Sequence, residues 1–477
     1  MRQSNKKLTV FIFCLFLVLG FLFSFKTLSL PLINGEADGY SRANWAFDNY
    51  IKGNLLTINK AGGSWLPFHI DILSFSILMT GDPKFGPRLI SLFFCVFSVA
   101  LMYLFTERMF EHEKNKRLMA LTATSIYLFN PLRLLLATQP LSEAVSTFFF
   151  ILILWLCSAK KIKHIYVILL INIACAIRFE FWMLIPFVWL IFYIKKPDKK
   201  WMEYIWKCLL CLVFPLYWMV LNYFHSGNYW EFFIEKYNNA QNNVPEVAYY
   251  SFVLAFEAWI KMLIYQIGMV GFLLYVSTWK FLRKWKNDLN KNKIFVLLPL
   301  YFLLLLILQV YFGTMEWLPP RYLFPVLISI IPFVGYGLIK IIEKILSQRN
   351  KVVVGALLIV AIFLVSKDII GIDSNLSKWQ KKGSSSYGED ALQLVDFFRL
   401  NQKKSENTFY VENGDWTLSM LVFLSQKHDI RIMPSSEYYL GNFEGSTNVI
   451  LTNSFGNSQI CLGKVIYTNK SFRVCSF

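Results

Sequence analysis

The sequence predicts an α-helical polytopic membrane protein of about eleven transmembrane helices, with a small C-terminal extracytoplasmic α/β domain. Three observations predict it. Of the 477 residues, 56% are hydrophobic and only 16% charged, with a mean hydropathy of +0.45, whereas soluble domains carry roughly 25% charge. Apolar runs long enough to cross a bilayer recur along the chain. Lys and Arg are abundant in every second connection between those runs and sparse in the others. The last pattern also removes nucleic acid as the explanation of the formal net charge of +18.

The first run, 8–25, follows Arg2, Lys6 and Lys7 with no small-residue cleavage site behind it, and reads as a retained signal anchor. Further runs lie at 89–106, 118–130, 141–158, 165–177, 181–194, 205–223, 252–279, 294–312, 322–339 and 352–370. With a cytosolic N-terminus, the inner segments 1–7, 107–117, 159–164, 195–203, 280–293 and 340–351 hold 24 Lys/Arg and 7 acids. The outer segments 26–87, 131–140, 178–180, 224–250 and 313–321 hold 9 Lys/Arg. The positive-inside rule sets this orientation in a multi-pass cell-membrane protein and places the tail outside. Nearly all the excess charge is thus a topology signal.

Residues 1–370 form the predicted membrane domain, with 26–88 as its first outer loop, and 371–477 form the outer one. In the latter, Leu392, Val395 and Phe398 give 389–400 helical spacing, and 416–426 is helix-like. Strand-like runs lie at 408–412, 430–433, 447–452, 459–467 and 471–476. Cys461 and Cys475 come opposite each other if the last hairpin is centred on Thr468, which makes them disulfide candidates in an oxidising compartment. The other six cysteines lie in apolar runs and read as packing residues. Cys208 and Cys211 have CxxC spacing but no His or acidic neighbours.

Polar residues at the outer membrane boundary carry the chemistry. The first outer loop opens with Gly35-Glu36-Ala37-Asp38-Gly39-Tyr40-Ser41-Arg42, and Tyr40, Ala43, Phe47, Tyr50 and Ile51 then recur at the spacing of an amphipathic surface helix. Glu36 or Asp38 at that boundary could act as general base on a hydroxyl; Asp38 also suits a plain helix cap. Asp71 and Asp82 read as ordinary solvated or turn residues. Glu143 stands at the mouth of the fourth run, Arg178-Phe179-Glu180 makes a short charged turn, and Glu316-Trp317-Leu318-Pro319-Pro320-Arg321-Tyr322 leads into the tenth run. Arg178 and Arg321 suit bidentate phosphate binding, or pairing with Glu180, Glu143 or lipid headgroups. His69, in Trp65-Leu66-Pro67-Phe68-His69, suits either a binding or a hydrogen-bonded structural role. No Gly-rich nucleotide cradle is present.

These residues resemble the GT-C superfamily of membrane glycosyltransferases, in the branch similar to dolichyl-phosphate-mannose-protein mannosyltransferases and aminoarabinose transferases. The matching pieces are Glu36-Ala37-Asp38, Trp65 to His69, Gly86-Pro87-Arg88-Leu89-Ile90-Ser91, Asn130-Pro131, Pro140-Leu141-Ser142-Glu143, Arg178-Phe179-Glu180-Phe181-Trp182 and Pro320-Arg321-Tyr322-Leu323-Phe324-Pro325. The resemblance implies inverting transfer of a sugar from a polyprenyl-phosphate donor to a glycan, lipid or protein hydroxyl on the extracytoplasmic face. It makes Asp38 or Glu36 the base and Arg321 and Arg178 the phosphate ligands, with Glu143, Glu180, His69 and Glu316 in support and membrane lipid around the donor's chain. The family's frequent adjacent Asp-Glu is here Glu-Ala-Asp, which leaves the base open between the two. Some relatives use a divalent metal, for which Glu36, Asp38 and Glu143 would be the ligands. Chemistry favours the same donor: a phosphate leaving group calls for arginines. The alternatives are a transporter or lipid flippase, for which Glu257 and Lys261 are the interior ionisable pair, and a noncatalytic scaffold whose tail binds a partner.

Overall fold

The computed structural model describes residues 2–25, 28, 37–53, 55–56, 66–83, 85–195, 201–243, 252–283, 291–311 and 320–347, and five strands within 409–476. The helices are α1 (Arg2–Phe25), α2 (Ala37–Ile51), α3 (Pro67–Thr80), α4 (Phe85–Met109), α5 (Lys116–Leu128), α6 (Pro131–Leu136) and α7 (Ser142–Ser158). They continue as α8 (His164–Cys175), α9 (Glu180–Lys195), α10 (Trp201–Cys211), α11 (Val213–Ser226), α12 (Glu231–Asn243) and α13 (Phe252–Arg283). A 3-10 turn, Lys291–Leu297, leads into α14 (Leu298–Tyr311), and a second, Pro320–Leu323, into α15 (Phe324–Ser347).

Ten of the eleven predicted apolar runs fall on these helices; the eleventh, 352–370, lies outside the described residues. Among the described residues, Lys7–Phe25, Phe85–Met109 and Arg321–Lys344 are long and apolar enough to span a bilayer, as are α10 and α11 if their 50° bend is taken as one broken span. Others, such as α8 with 12 residues, are too short to span unaided. In α13 the helix breaks at Gly268, where φ is 71° and ψ 158°; glycine alone adopts this without steric cost.

Close approach of backbones holds the bundle. An added Cβ at Gly335 of α15 would sit 2.8 Å from the Met119 carbonyl of α5, and one at Gly337 would sit 2.9 Å from the Leu274 carbonyl of α13. Small residues thus let α15 nest between two neighbours. Toward the C-terminal ends of α15 and α9, Lys340 bridges Glu113 and Glu343 at 2.7 and 3.0 Å, while Lys195 binds the Cys157 and Ala159 carbonyls and Asn292.

The segment predicted as the first outer loop departs from expectation. Its middle forms α3, a 14-residue helix with Pro67 at its start and Gly81 in the left-handed region at its end. Asp71, read from sequence as solvated, is buried there. The amphipathic helix expected after Asp38 is α2, but its inner face (Ala43, Ala46, Asn49) is buried, and Ala46 packs with Ile70, Leu73 and Ile77 of α3. Ser74 Oγ donates to the Ala46 carbonyl at 3.0 Å, which fixes the pair.

In the tail, β1 (Phe409–Glu412), β2 (Ile430–Met433), β3 (Asn448–Thr452), β4 (Lys464–Thr468) and β5 (Phe472–Ser476) form a mixed sheet of order β2-β1-β3-β5-β4. β1 runs parallel to β2 and β3, and β5 antiparallel to β3 and β4. All five strands overlap the predicted runs; the predicted helices 389–400 and 416–426 lie outside the described residues. The disulfide expectation rested on a different hairpin: Thr468 pairs with Arg473 and Val465 with Cys475. Val465, not Cys461, faces Cys475, because the turn falls later and a register shift follows Val465. Cys461 itself is outside the described residues.

Candidate functional site

Four segments of distant sequence converge at the N-terminal ends of α7, α9 and α15. The first is the start of α7, whose N-cap Leu141 has extended backbone and whose first turn carries Glu143, a favourable place for an acid beside the helix dipole. The second is the turn before α9, where Arg178 donates through Nε and Nη2 to the two oxygens of Glu180 at 3.0 and 2.6 Å, and through Nη1 to Ser142 Oγ at 3.0 Å and Glu143 Oε1 at 2.5 Å. Four of its five N–H donors are thereby committed. Burial disfavours the charged guanidinium, but Glu180 and Glu143 outweigh this and hold its pKa well above the usual arginine value.

The third segment is the 3-10 turn before α15. It brings Arg321 Nε to 3.7 Å from Glu143 Oε1, an ion pair beyond hydrogen-bond length. The guanidinium carbons of Arg178 and Arg321 lie 5.4 and 5.5 Å from the Tyr322 ring centre. Together with Thr147, Phe150 and Phe302, these side chains line a narrow recess.

The fourth segment is the predicted first outer loop. A Cβ on Gly39 would lie 3.3 Å from Pro140, so the first turn of α2 abuts the residues that precede Glu143. Asp38 lies within that turn, since α2 begins at Ala37, and not ahead of it as a cap would. Its side chain is not among those described, and Glu36 and Glu316 lie outside the described residues. Phe68 N–H donates to the Ala176 carbonyl at 3.1 Å, which pins α3 to the Arg178 turn. His69 is fully buried, and neither ring nitrogen meets hydrogen-bond geometry. Burial first, then the charges of Arg42 and Arg178, push its pKa well below the usual value, with the Leu141 backbone acting the other way.

The remaining motif pieces support this junction. Arg88 Nε donates to the Thr138 carbonyl at 3.3 Å, and the Asn130 side chain caps α6 by accepting from Arg133 N–H at 3.1 Å. Arg133, counted in the sequence among outer-loop cations, is a buried tie from α6 to Ser24, the Leu128 carbonyl and Cys95. Thr147 was missed: in sequence it is one more residue of an apolar run, and only the recess singles it out. Glu257 and Lys261 pair with each other on an exposed face of α13.

Among the described residues, no group of three His, Cys, Asp or Glu side chains could hold a metal ion. Glu143, the described member of the expected metal set, has one oxygen on Arg178 and lies beside Arg321; both cations oppose a dication there. The described residues do not fit a metal at Glu143.

No protein-family model and no curated protein sequence matches the chain. Solved structures do. ArnT from Cupriavidus metallidurans in the apo state superposes with a TM-score of 0.65 at 13% identity, covering 97% of each chain. The same protein bound to undecaprenyl phosphate gives 0.64 over the same coverage and identity. The chain shares the fold of ArnT. The Archaeoglobus fulgidus oligosaccharyltransferase shares it at 9% identity, with a TM-score of 0.53 over 92% of this chain and 69% of that one in the apo form. That shared fold fits a polytopic helical membrane architecture around the convergence of α7, α9 and α15.

Proposed function

We propose that the chain is an inverting membrane glycosyltransferase that moves a sugar from a polyprenyl-phosphate donor to an acceptor hydroxyl on the extracytoplasmic face. The observation that carries this reading is the recess in which Arg321 and Arg178 flank Tyr322 with Glu143 between them, above the apolar side chains Phe150, Phe302 and Ile328. Cations beside an apolar cleft suit a phosphate on an isoprenoid chain. The GT-C fold and the undecaprenyl phosphate bound by ArnT support the same reading; fold alone does not assign activity.

Arg321 is the principal phosphate ligand, because Arg178 is largely spent on Glu180, Ser142 and Glu143 and acts by positioning Glu143 and Arg321. Asp38, with Glu36 as the alternative, takes the acceptor's proton; the acceptor oxygen attacks the anomeric carbon; the bond from that carbon to the phosphate oxygen breaks, and polyprenyl phosphate departs with its charge held by Arg321. The contact of Gly39 with Pro140 supports this placement of the base.

In the same reading the N-terminus is cytosolic, residues 1–370 are the catalytic membrane domain of about eleven spans, and 371–477 form an outer α/β domain. The transporter alternative draws on the break at Gly268 and the 50° bend between α10 and α11. Radiolabelled polyprenyl-phosphate hexoses incubated with membranes containing the protein separate the two. A glycosyltransferase passes label to an acceptor, and a flippase changes only the leaflet in which the lipid resides.

A further inference from the structure

Two buried oxygens at the recess have no partner. Glu143 is 3% exposed; its Oε1 serves Arg178, but its Oε2 makes no hydrogen bond. Thr147, one helical turn further along the same face of α7, is also 3% exposed and its Oγ1 makes none. A helical threonine can satisfy itself on the carbonyl four residues back. Here that carbonyl, Glu143's, already accepts from Ser146 Oγ at 3.0 Å. Both side chains line the recess, and buried polar atoms that lack partners call for a ligand or a water.

Charge selects the ligand. A cation at Glu143 Oε2 would face Arg178 and Arg321, and an anion would face Glu143 itself. A neutral hydroxyl avoids both: it donates to the carboxylate and exchanges a hydrogen bond with the threonine. Phe150 and Phe302, packed edge to face at 5.5 Å, close the recess on its apolar side.

We infer that Glu143 Oε2 and Thr147 Oγ1 are the hydroxyl-reading pair of the donor site, receiving a free hydroxyl of the sugar whose phosphate meets Arg321. This rests on the proposed polyprenyl-phosphate reading and narrows it: the donor carries an unblocked hydroxyl close to its phosphate, and Thr147 contributes to discrimination of the glycosylated lipid from the bare one.

The test uses the full-length protein in nanodiscs with two probes, undecaprenyl phosphate and undecaprenyl-phosphate mannose. Wild type is expected to prefer the glycosylated lipid. Thr147→Val, close in shape, should weaken binding of the glycosylated lipid about five- to tenfold, the worth of one hydrogen bond, and leave undecaprenyl phosphate within twofold. Thr147→Ser should restore the preference, which a packing defect would not. Equal loss for both lipids, no loss for either, or a wild type without preference overturns the inference while leaving the phosphate reading intact. A wild type that binds neither lipid overturns both.

Discussion

Arg178 Nη1 and Glu143 Oε1, 35 positions apart in sequence, meet at 2.5 Å and join the turn before α9 to the first turn of α7. The same arginine grips Glu180 through two parallel hydrogen bonds, so one buried cation neutralises two carboxylates.

Removing that cation strands both acids. Arg178→Met should destabilise the protein by about 3–5 kcal/mol, the usual penalty for breaking a buried ion pair. Adding Glu143→Gln and Glu180→Gln should recover much of the loss. Thermal unfolding followed by tryptophan fluorescence in detergent reads both outcomes.

Arg321 should affect ligand more than fold. Arg321→Gln is expected to lower affinity for undecaprenyl phosphate roughly 10- to 100-fold, the range for losing a charge-assisted hydrogen bond, and to leave undecaprenol binding unchanged. Equal effects on the two lipids would point to a packing role.

The predicted pH dependence follows from His69, whose pKa burial and the Arg42 and Arg178 charges hold low. Below about pH 6.5 the unfolded chain binds a proton on this residue that the folded chain refuses. Stability should therefore fall as pH drops through that value. His69→Gln should show a shallower decline in Tm between about pH 7.5 and 5.5, measured in parallel with wild type.

Gly335→Ala puts a methyl group where the Met119 carbonyl stands 2.8 Å away. Backbone cannot yield there without parting α5 from α15. A loss of about 1–3 kcal/mol is expected, and the same unfolding measurement checks it.

Much of the fold and part of the site were legible in the sequence because a bilayer imposes a coarse code: ten apolar runs became helices, and Glu143, Arg178, Glu180 and Arg321 stood out as charges beside them. The helix α3 was hidden because 14 residues fall short of a span, so an apolar segment inside an outer loop passed for loop. Asp71 looked solvated, and Arg133 was one more loop cation in the charge count, because burial of a charge depends on partners distant in sequence, such as Ser24 and Cys95 for Arg133. The hairpin centre was misplaced because a register shift between Val465 and Tyr467 leaves no compositional trace. Thr147 carries no signal until its neighbours leave its hydroxyl unsatisfied.

The central claim is chemical transfer with Asp38 as base. Its most direct measurement is the rate at which wild-type and Asp38→Asn protein, inserted equally in membranes, pass labelled hexose from polyprenyl phosphate to acceptor. Wild type should pass the label, and the variant should do so at least about 100-fold more slowly, the contribution of a general base. Undiminished transfer by Asp38→Asn, or none by wild type from any polyprenyl-phosphate sugar, would contradict it.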